Sequence, residues 1–148
     1  MTTQDAINEA GIRQQIDKLV ETIRANDLAG VKPPIYAADI VSFDAGPPLQ
    51  CVGAERKWQN WEQGATLFEG PLGFEMRDLT ITAAGDVGFA HSFNRVSGML
   101  KNGNEFGDFW VRATYCFRKI DGKWLIAHDH ASVPIDFASG TALLNLEP

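Results

Sequence analysis

The side chains in this sequence best suited to moving a proton are two carboxylates. Asp129 lies in the last strand-like segment and Arg112 in the segment before it, so antiparallel pairing would bring the two together. The guanidinium would then hold Asp129 ionised as a general base, or the two would form a plain cross-strand ion pair. Asp44 precedes a Gly-Pro-Pro turn. It is either a second base in an apolar pocket or a carboxylate that caps the turn.

The histidines raise a second kind of chemistry, metal binding. His128 and His130 share one face of a strand-like segment, and with His91 they could supply three imidazole nitrogens. No third Cys, Asp or Glu stands at an obvious ligand spacing, so the sequence predicts no metal site. It contains neither a GxGxxG sequence nor a P-loop, and we therefore expect no cofactor.

Composition limits the partners of this chain. Its 148 residues are 45% hydrophobic, which suits a single domain over residues 1–148. A net charge of −6 argues against nucleic acid or an anionic membrane, because phosphate binding needs clustered Lys and Arg. The N-terminus lacks a basic region followed by an apolar run, and no apolar stretch reaches the roughly 18 residues of a membrane span. We therefore expect a cytoplasmic protein.

Apolar periodicity predicts three helices in the first half of the chain. Residues 4–25 carry a helical stripe, with Thr2 or Thr3 as N-cap. A short second helix fits around Lys32-Pro33-Pro34, before Tyr36. From Gly53 a third helix is predicted by an apolar face at helical spacing, which consists of Ala54, Trp58, Trp61, Ala65 and Phe68.

The remaining segments read as strands. Residues 40–44 and 49–52 form two short extended pieces around a Gly-Pro-Pro turn. The alternation of apolar residues changes phase around Arg77-Asp78, which predicts either a β-bulge or a switch of face, and such a bend would help to curl the sheet. Turns containing Gly85, Gly103 and Gly122 then separate strands at about 87–100, 107–118 and 123–133.

The last two strands carry a family resemblance. Phe109-Trp110-Val111-Arg112-Ala113-Thr114, followed by Ile120-Asp121-Gly122-Lys123-Trp124 and His128-Asp129-His130-Ala131-Ser132-Val133-Pro134, resembles SnoaL-like and ketosteroid-isomerase-like proteins of the nuclear transport factor 2-like superfamily. The resemblance implies an α+β cone-shaped barrel with three N-terminal helices packed on a curved antiparallel sheet. It also implies a homodimer formed through the outer sheet face and a pocket between helices and sheet.

The resemblance also assigns pocket positions. Asp129 falls where similar cyclases and epoxide hydrolases carry a pocket carboxylate, and Asp44 lies about where the isomerases carry their general base. Asn94 matches a hydrolase position usually held by Asp. Thr114 and Leu19 stand where ketosteroid isomerases carry the Asp and Tyr that hold the dienolate oxygen, so steroid isomerisation is not expected.

Two registers are open for the final hairpin. If Asp121-Gly122 is a two-residue type I′ turn, Thr114 pairs with Asp129, and Trp110 and Arg112 face the pocket with them. A three-residue loop would instead set His130 opposite Arg112 and turn the histidines inward. We prefer the first register.

The predicted function follows from these positions. We expect a pocket enzyme that acts by proton abstraction on a small apolar carbonyl compound, with isomerisation, cyclisation or dehydration as the outcome. The alternative is a non-catalytic ligand-binding or scaffold domain. Asp129, Asp44 and Arg112 are the candidate catalytic residues. Aromatic residues among the candidate substrate contacts are either core or pocket lining; the contacts are Tyr36, Trp58, Asn94, Trp110, Thr114 and His130.

Overall fold

A computed structural model describes residues 2–26, 28, 30 and 32–148, and of residues 105–108 it describes the backbone only. The described residues form two helices, α1 (Thr3–Arg24) and α2 (Ala54–Ala65). The strands are β1 (Tyr36–Phe43), β2 (Cys51–Val52), β3 (Phe68–Ala84), β4 (Val87–Leu100), β5 (Glu105–Ile120), β6 (Lys123–Ser132), β7 (Ile135–Asp136) and β8 (Thr141–Ala142).

Helix α1 packs along the inner face of the sheet. It begins with a capping box, in which the Thr2 side chain accepts from the Asp5 N–H and the Asp5 carboxylate accepts from the Thr2 N–H. A Cβ on Gly11 would lie 2.7 Å from the Trp124 ring, so glycine lets the helix approach β6 closely. The predicted apolar stripe is buried in the core, at Ile12, Ile16, Leu19 and Ile23.

The main sheet has six strands in the order β2-β1-β6-β5-β4-β3, and it is curled without closing. Strands β3 to β6 form the predicted antiparallel meander. Strand β1 pairs parallel with β6, so the expectation of a wholly antiparallel sheet was wrong. The parallel pairing brings the end of β1 beside the end of β6.

One of the three expected helices is not seen among the described residues, whose helices are α1 and α2. The region of the predicted second helix includes residues 27, 29 and 31, which lie outside the described residues, and residues 32–35 are not helical. Pro33 and Pro34 have no N–H to donate, and a proline disfavours the helical conformation of the residue before it. Residues 32–35 therefore lead into β1 without a helical turn.

The turn and bulge predictions are confirmed. Asp121 and Gly122 have φ angles of 50° and 79°, and Ile120 pairs with Lys123 across them, as a type I′ turn requires. The register of β3 shifts between Arg77 and Thr80, where Asp78 has a φ of 57°. None of the described helices is long and apolar enough to cross a membrane.

The packing of α1 predicts a measurable loss of stability on truncation. Ile16 is 1% exposed, so we expect Ile16→Ala to lower the free energy of unfolding by about 2–5 kcal/mol in urea titrations. Arg13 lies on the exposed face of the same helix, and Arg13→Ala should change that value by no more than about 0.5 kcal/mol. Equal effects of the two substitutions would contradict this packing.

Candidate functional site

The register of the final hairpin decides which side chains face inward. Pairing starts at Ile120 and Lys123 as predicted, but β6 contains an extra residue, Ala127, between the partners of Phe117 and Cys116. Beyond this bulge Asp129 pairs with Tyr115, not with Thr114. Both predicted registers were therefore wrong past the bulge. The extra residue reverses the alternation of β6, so Asp129 is buried on the same side as Trp124 and Ile126.

Three predicted site residues consequently lie on the outer face of β5. Arg112 is exposed, and its Nε donates to Ser132 Oγ over 3.2 Å, so the predicted pairing of Arg112 with Asp129 was wrong. Thr114 is also exposed. Trp110 is buried, but its ring stacks under the Arg77 guanidinium at 4.6 Å and lies beside residues of the C-terminal segment. None of the three lines the main cavity.

A cavity of about 670 Å³ lies between the two helices and the inner face of the sheet. One end is open, bordered by exposed residues of the β1–β2 loop and the end of α2. Its volume falls in the range of pockets for drug-sized molecules. Most of its wall is apolar, formed by Leu19, Leu72, Phe74, Val96, Phe109, Val111, Ala113 and Leu144, among others.

The polar part of the cavity is organised by a buried lysine. Lys57 of α2 lies within 2.5 Å of Asp44 Oδ1 and 3.3 Å of Asp129 Oδ2. It also donates to Ser42 Oγ over 3.0 Å, so one ammonium contacts Asp44, Asp129 and Ser42. Ser42 in turn donates to Asp129 Oδ1. With one cation and two carboxylates, this cluster carries a net negative charge when all three groups are ionised.

The environment of Asp44 favours its ionised form. Burial acts to raise the pKa of Asp44, but the Lys57 charge and hydrogen bonds from Lys57, Asn60 and Ser42 outweigh it, so this pKa lies below its usual value. The Asn60 amide donates to Asp44 Oδ2 over 3.2 Å. Asp44 thus serves as the principal counter-ion of Lys57.

Two tyrosine hydroxyls in the cavity wall are held by donors. Trp61 Nε1 donates to Tyr36 Oη over 2.9 Å, and Asn94 Nδ2 donates to Tyr115 Oη over 2.8 Å. Indole and amide N–H groups cannot accept, and no described residue accepts the hydroxyl hydrogen of either tyrosine, which leaves both hydrogens for a ligand. Burial, with a contribution from the Asp129 charge, raises the pKa of both tyrosines, so they remain protonated donors.

The other predicted contacts divide between the cavity and its surroundings. Asn94 and Tyr36 line the cavity, as do Asp129 and Asp44, whereas His130 only borders it, because it is exposed and pairs with Thr114 of the outer face. The His130 ring packs edge-on against Phe43, 5.5 Å between centroids. Trp58 lies behind the wall and packs on Tyr36 at 4.8 Å. Among the described residues no group of three or more His, Cys, Asp or Glu side chains could hold a metal ion.

Lys57, Ser42 and Tyr115 were missed by the sequence analysis. One signal was available: Lys57 stands within the apolar face of α2, between Ala54 and Trp61, where a lysine must find a buried partner. Tyr115 was hidden by the wrong register. Nothing in the sequence marked Ser42 as a site residue, because serine is common in short strands.

The chain belongs to the SnoaL-like domain family, whose pattern matches residues 12–136. The predicted resemblance to the SnoaL-like branch of the nuclear transport factor 2-like superfamily is thereby confirmed. Similar to it is a nuclear transport factor 2-like protein of unknown function from Pseudomonas putida KT2440. That structure is 36% identical, the match covers 97% of this chain and 98% of that chain, and the TM-score is 0.84.

More distant structures share the fold. A protein of the same superfamily from Streptomyces avermitilis, whose name proposes a dehydratase, is 17% identical over 88% of this chain and 99% of that chain, with a TM-score of 0.69. A ketosteroid isomerase-like protein from Erwinia carotovora is 18% identical over 84% of this chain and 94% of that chain, with a TM-score of 0.68. Comparison with curated proteins gives no significant match.

The Lys57 cluster predicts a pH-dependent loss of stability. At pH 7 we expect Lys57→Met to lower the free energy of unfolding by about 3–5 kcal/mol, because two carboxylates lose their shared cation. Ionised Asp44 stabilises the fold above the unfolded pKa of about 3.9, and that contribution disappears as pH falls through its lowered folded pKa. The difference between variant and wild type should therefore shrink as pH falls through this range.

Urea titrations at pH 7 and pH 2.5 measure this difference. The matched control is Lys123→Met, because Lys123 is exposed at the start of β6. A Lys57→Met deficit of the same size at both pH values, or no deficit at pH 7, would contradict the proposed charge balance.

Proposed function

We propose that this protein is a cofactor-independent enzyme that removes a proton from carbon next to the carbonyl of a small apolar compound. Isomerisation, cyclisation and dehydration all begin with this step. The observation that carries the proposal is the combination of a shielded carboxylate, Asp129, with tyrosine donors in one apolar cavity. A base and a donor to the developing oxyanion are the two groups that enolisation needs.

Asp129 is the better candidate base of the two carboxylates. Its side chain is 9% exposed, against 29% for Asp44, so water competes less with a substrate for contact with Asp129. The Lys57 ammonium is closer to Asp44, at 2.5 Å, than to Asp129, at 3.3 Å. In this proposal Asp44 therefore neutralises Lys57, and Lys57 orients Asp129.

Tyr115 is the first candidate donor to the carbonyl oxygen. It pairs directly with Asp129 across β5 and β6, and its hydroxyl hydrogen is available to a ligand. Asn94 holds the Tyr115 hydroxyl, and Ser92 Oγ donates to Asn94 Oδ1 over 2.7 Å. Such a fixed donor needs little reorganisation when negative charge develops on the substrate oxygen.

The apolar wall and the net charge of the cluster favour a neutral substrate. A carboxylate or phosphate in the cavity would meet two carboxylates with one cation between them. The names of the Streptomyces and Erwinia proteins, a dehydratase and a ketosteroid isomerase-like protein, are compatible with this chemistry.

Exchange of carbon-bound hydrogen tests this proposal before the physiological substrate is known. The probes are neutral ketones with C–H bonds next to the carbonyl, among them 2-tetralone deuterated at C1, and NMR measures loss of deuterium to water. We expect wild-type protein to accelerate the loss, and Asp129→Asn to slow it by about a hundredfold or more. Asp44→Asn should slow it by about tenfold, because the base itself remains.

The two Asn variants control for each other, since each removes one charge from the same cluster. Full activity of Asp129→Asn would contradict Asp129 as the base. Tight binding of ketones by the wild type without any exchange would favour the alternative of a non-catalytic ligand-binding domain.

We also propose that the protein forms a homodimer through the outer face of β4, β5 and β6. This face carries two exposed apolar side chains, Phe89 (48% exposed) and Phe93 (37% exposed), opposite Cys116 and Arg112. Exposed aromatic residues grouped on one sheet face are typical of protein interfaces.

Sedimentation velocity at micromolar concentration measures the association. We expect a dimer for the wild type and a monomer for the double variant Phe89→Glu/Phe93→Glu, because buried like charges would face each other across the interface. Leu49→Glu is the control, since Leu49 is 97% exposed in the β1–β2 loop. A monomeric wild type, or a dimer that survives the double substitution, would contradict this interface.

A further inference from the structure

Ser42 connects the two carboxylates of the cavity. Its hydroxyl donates a hydrogen bond to Asp129 Oδ1, and its oxygen lies 3.2 Å from Asp44 Oδ1. The connection follows from the parallel pairing of β1 with β6, in which Ser42 and Asp129 are direct partners, while Asp44 follows two residues later. A hydroxyl thus stands between one oxygen of each carboxylate.

Lys57 leaves the Ser42 hydrogen free to move toward either carboxylate. Because the ammonium donates to Ser42 Oγ over 3.0 Å, the hydroxyl accepts from Lys57 and keeps its own hydrogen for donation. The same ammonium binds both Asp44 and Asp129, so it holds both acceptors within reach of Ser42.

Exposure increases along this chain of groups toward the open end of the cavity. Ser42 is fully buried, and the Asp129 side chain is 9% exposed. The Asp44 side chain is 29% exposed and is followed by exposed residues of the β1–β2 loop. A proton that reaches Asp44 can therefore pass to water, whereas Asp129 has little direct access to it.

We propose that Ser42 is a positioning residue that relays the abstracted proton from Asp129 to Asp44 and on to solvent. The proposal rests on the function proposed above, with Asp129 as the base. Asp129 receives the proton from substrate carbon and passes it from Oδ1 to Ser42 Oγ, while the Ser42 hydrogen moves to Asp44 Oδ1. Asp44 then releases a proton to water. Only O–H bonds break and form in these transfers, and Asp129 returns to its ionised form.

The relay determines the fate of the abstracted hydrogen. With the relay, the proton leaves the cavity faster than it returns to carbon. Without it, the protonated Asp129 returns the same hydrogen to the substrate, so loss of label becomes limited by escape from Asp129 and no longer by C–H cleavage.

The test uses 2-tetralone labelled at C1 with deuterium or with tritium, both in H₂O. The rate of loss of each label is measured, and the ratio of the two rates gives the primary isotope effect without a change of solvent. For Ser42→Ala we expect label loss to slow by about tenfold or more, with the primary isotope effect falling toward one. Asp44→Asn should likewise slow label loss and lower the primary isotope effect. Because Asp44 is partly exposed, this variant replaces Ser42→Ala if the latter folds poorly.

Ser132→Ala is the matched control, because it removes the same hydroxyl from a residue of β6 whose partner is Arg112 on the outer face. Its rate and isotope effect should equal those of the wild type. If Ser42→Ala slowed label loss but left the isotope effect unchanged, the role of Ser42 would be structural and the relay would be overturned. If Ser42→Ala lost label at the wild-type rate while Asp129→Asn lost none, the relay would be overturned but the base assignment would stand. Absence of label loss in the wild type would overturn the base assignment and the relay with it.

Discussion

The contact of one buried ammonium with two carboxylates is the interaction on which the polar end of this cavity depends. Lys57 comes from α2, Asp44 follows β1, and Asp129 lies on β6, so a single cation joins three elements that are distant in sequence. Burying either carboxylate without it would carry a large desolvation penalty. The position of α2 over the sheet is therefore tied to the charge balance of the site.

A one-residue irregularity in β6 sets the chemistry of the opposite wall. Because Ala127 is extra in the ladder, Asp129 faces inward beside Tyr115, and Arg112 faces outward. A regular strand would have put Asp129 on the outer side with Lys57 unreachable. The bulge and the lysine thus depend on each other, since the carboxylate turned inward by one is neutralised by the other.

The cavity combines this charged cluster with a wall that is mostly apolar. Tyr36 and Tyr115 lie between the two regions, each held by an N–H donor from a neighbouring side chain. Because membership of the SnoaL-like family defines the fold and not the reaction, the arrangement of these groups carries the functional argument.

The sequence by itself determined the periodic features of this protein. Helices α1 and α2, the meander from β3 to β6, the Asp121-Gly122 turn and the bulge near Asp78 follow from local patterns, and the family resemblance identified Asp129 and Asn94 as cavity residues. Only the tertiary structure decided the register beyond Ala127 and the partner of Asp129. The physical reason is that both depend on contacts between distant segments: Ser42 and Asp129 are separated by 87 positions, and no local pattern records their pairing.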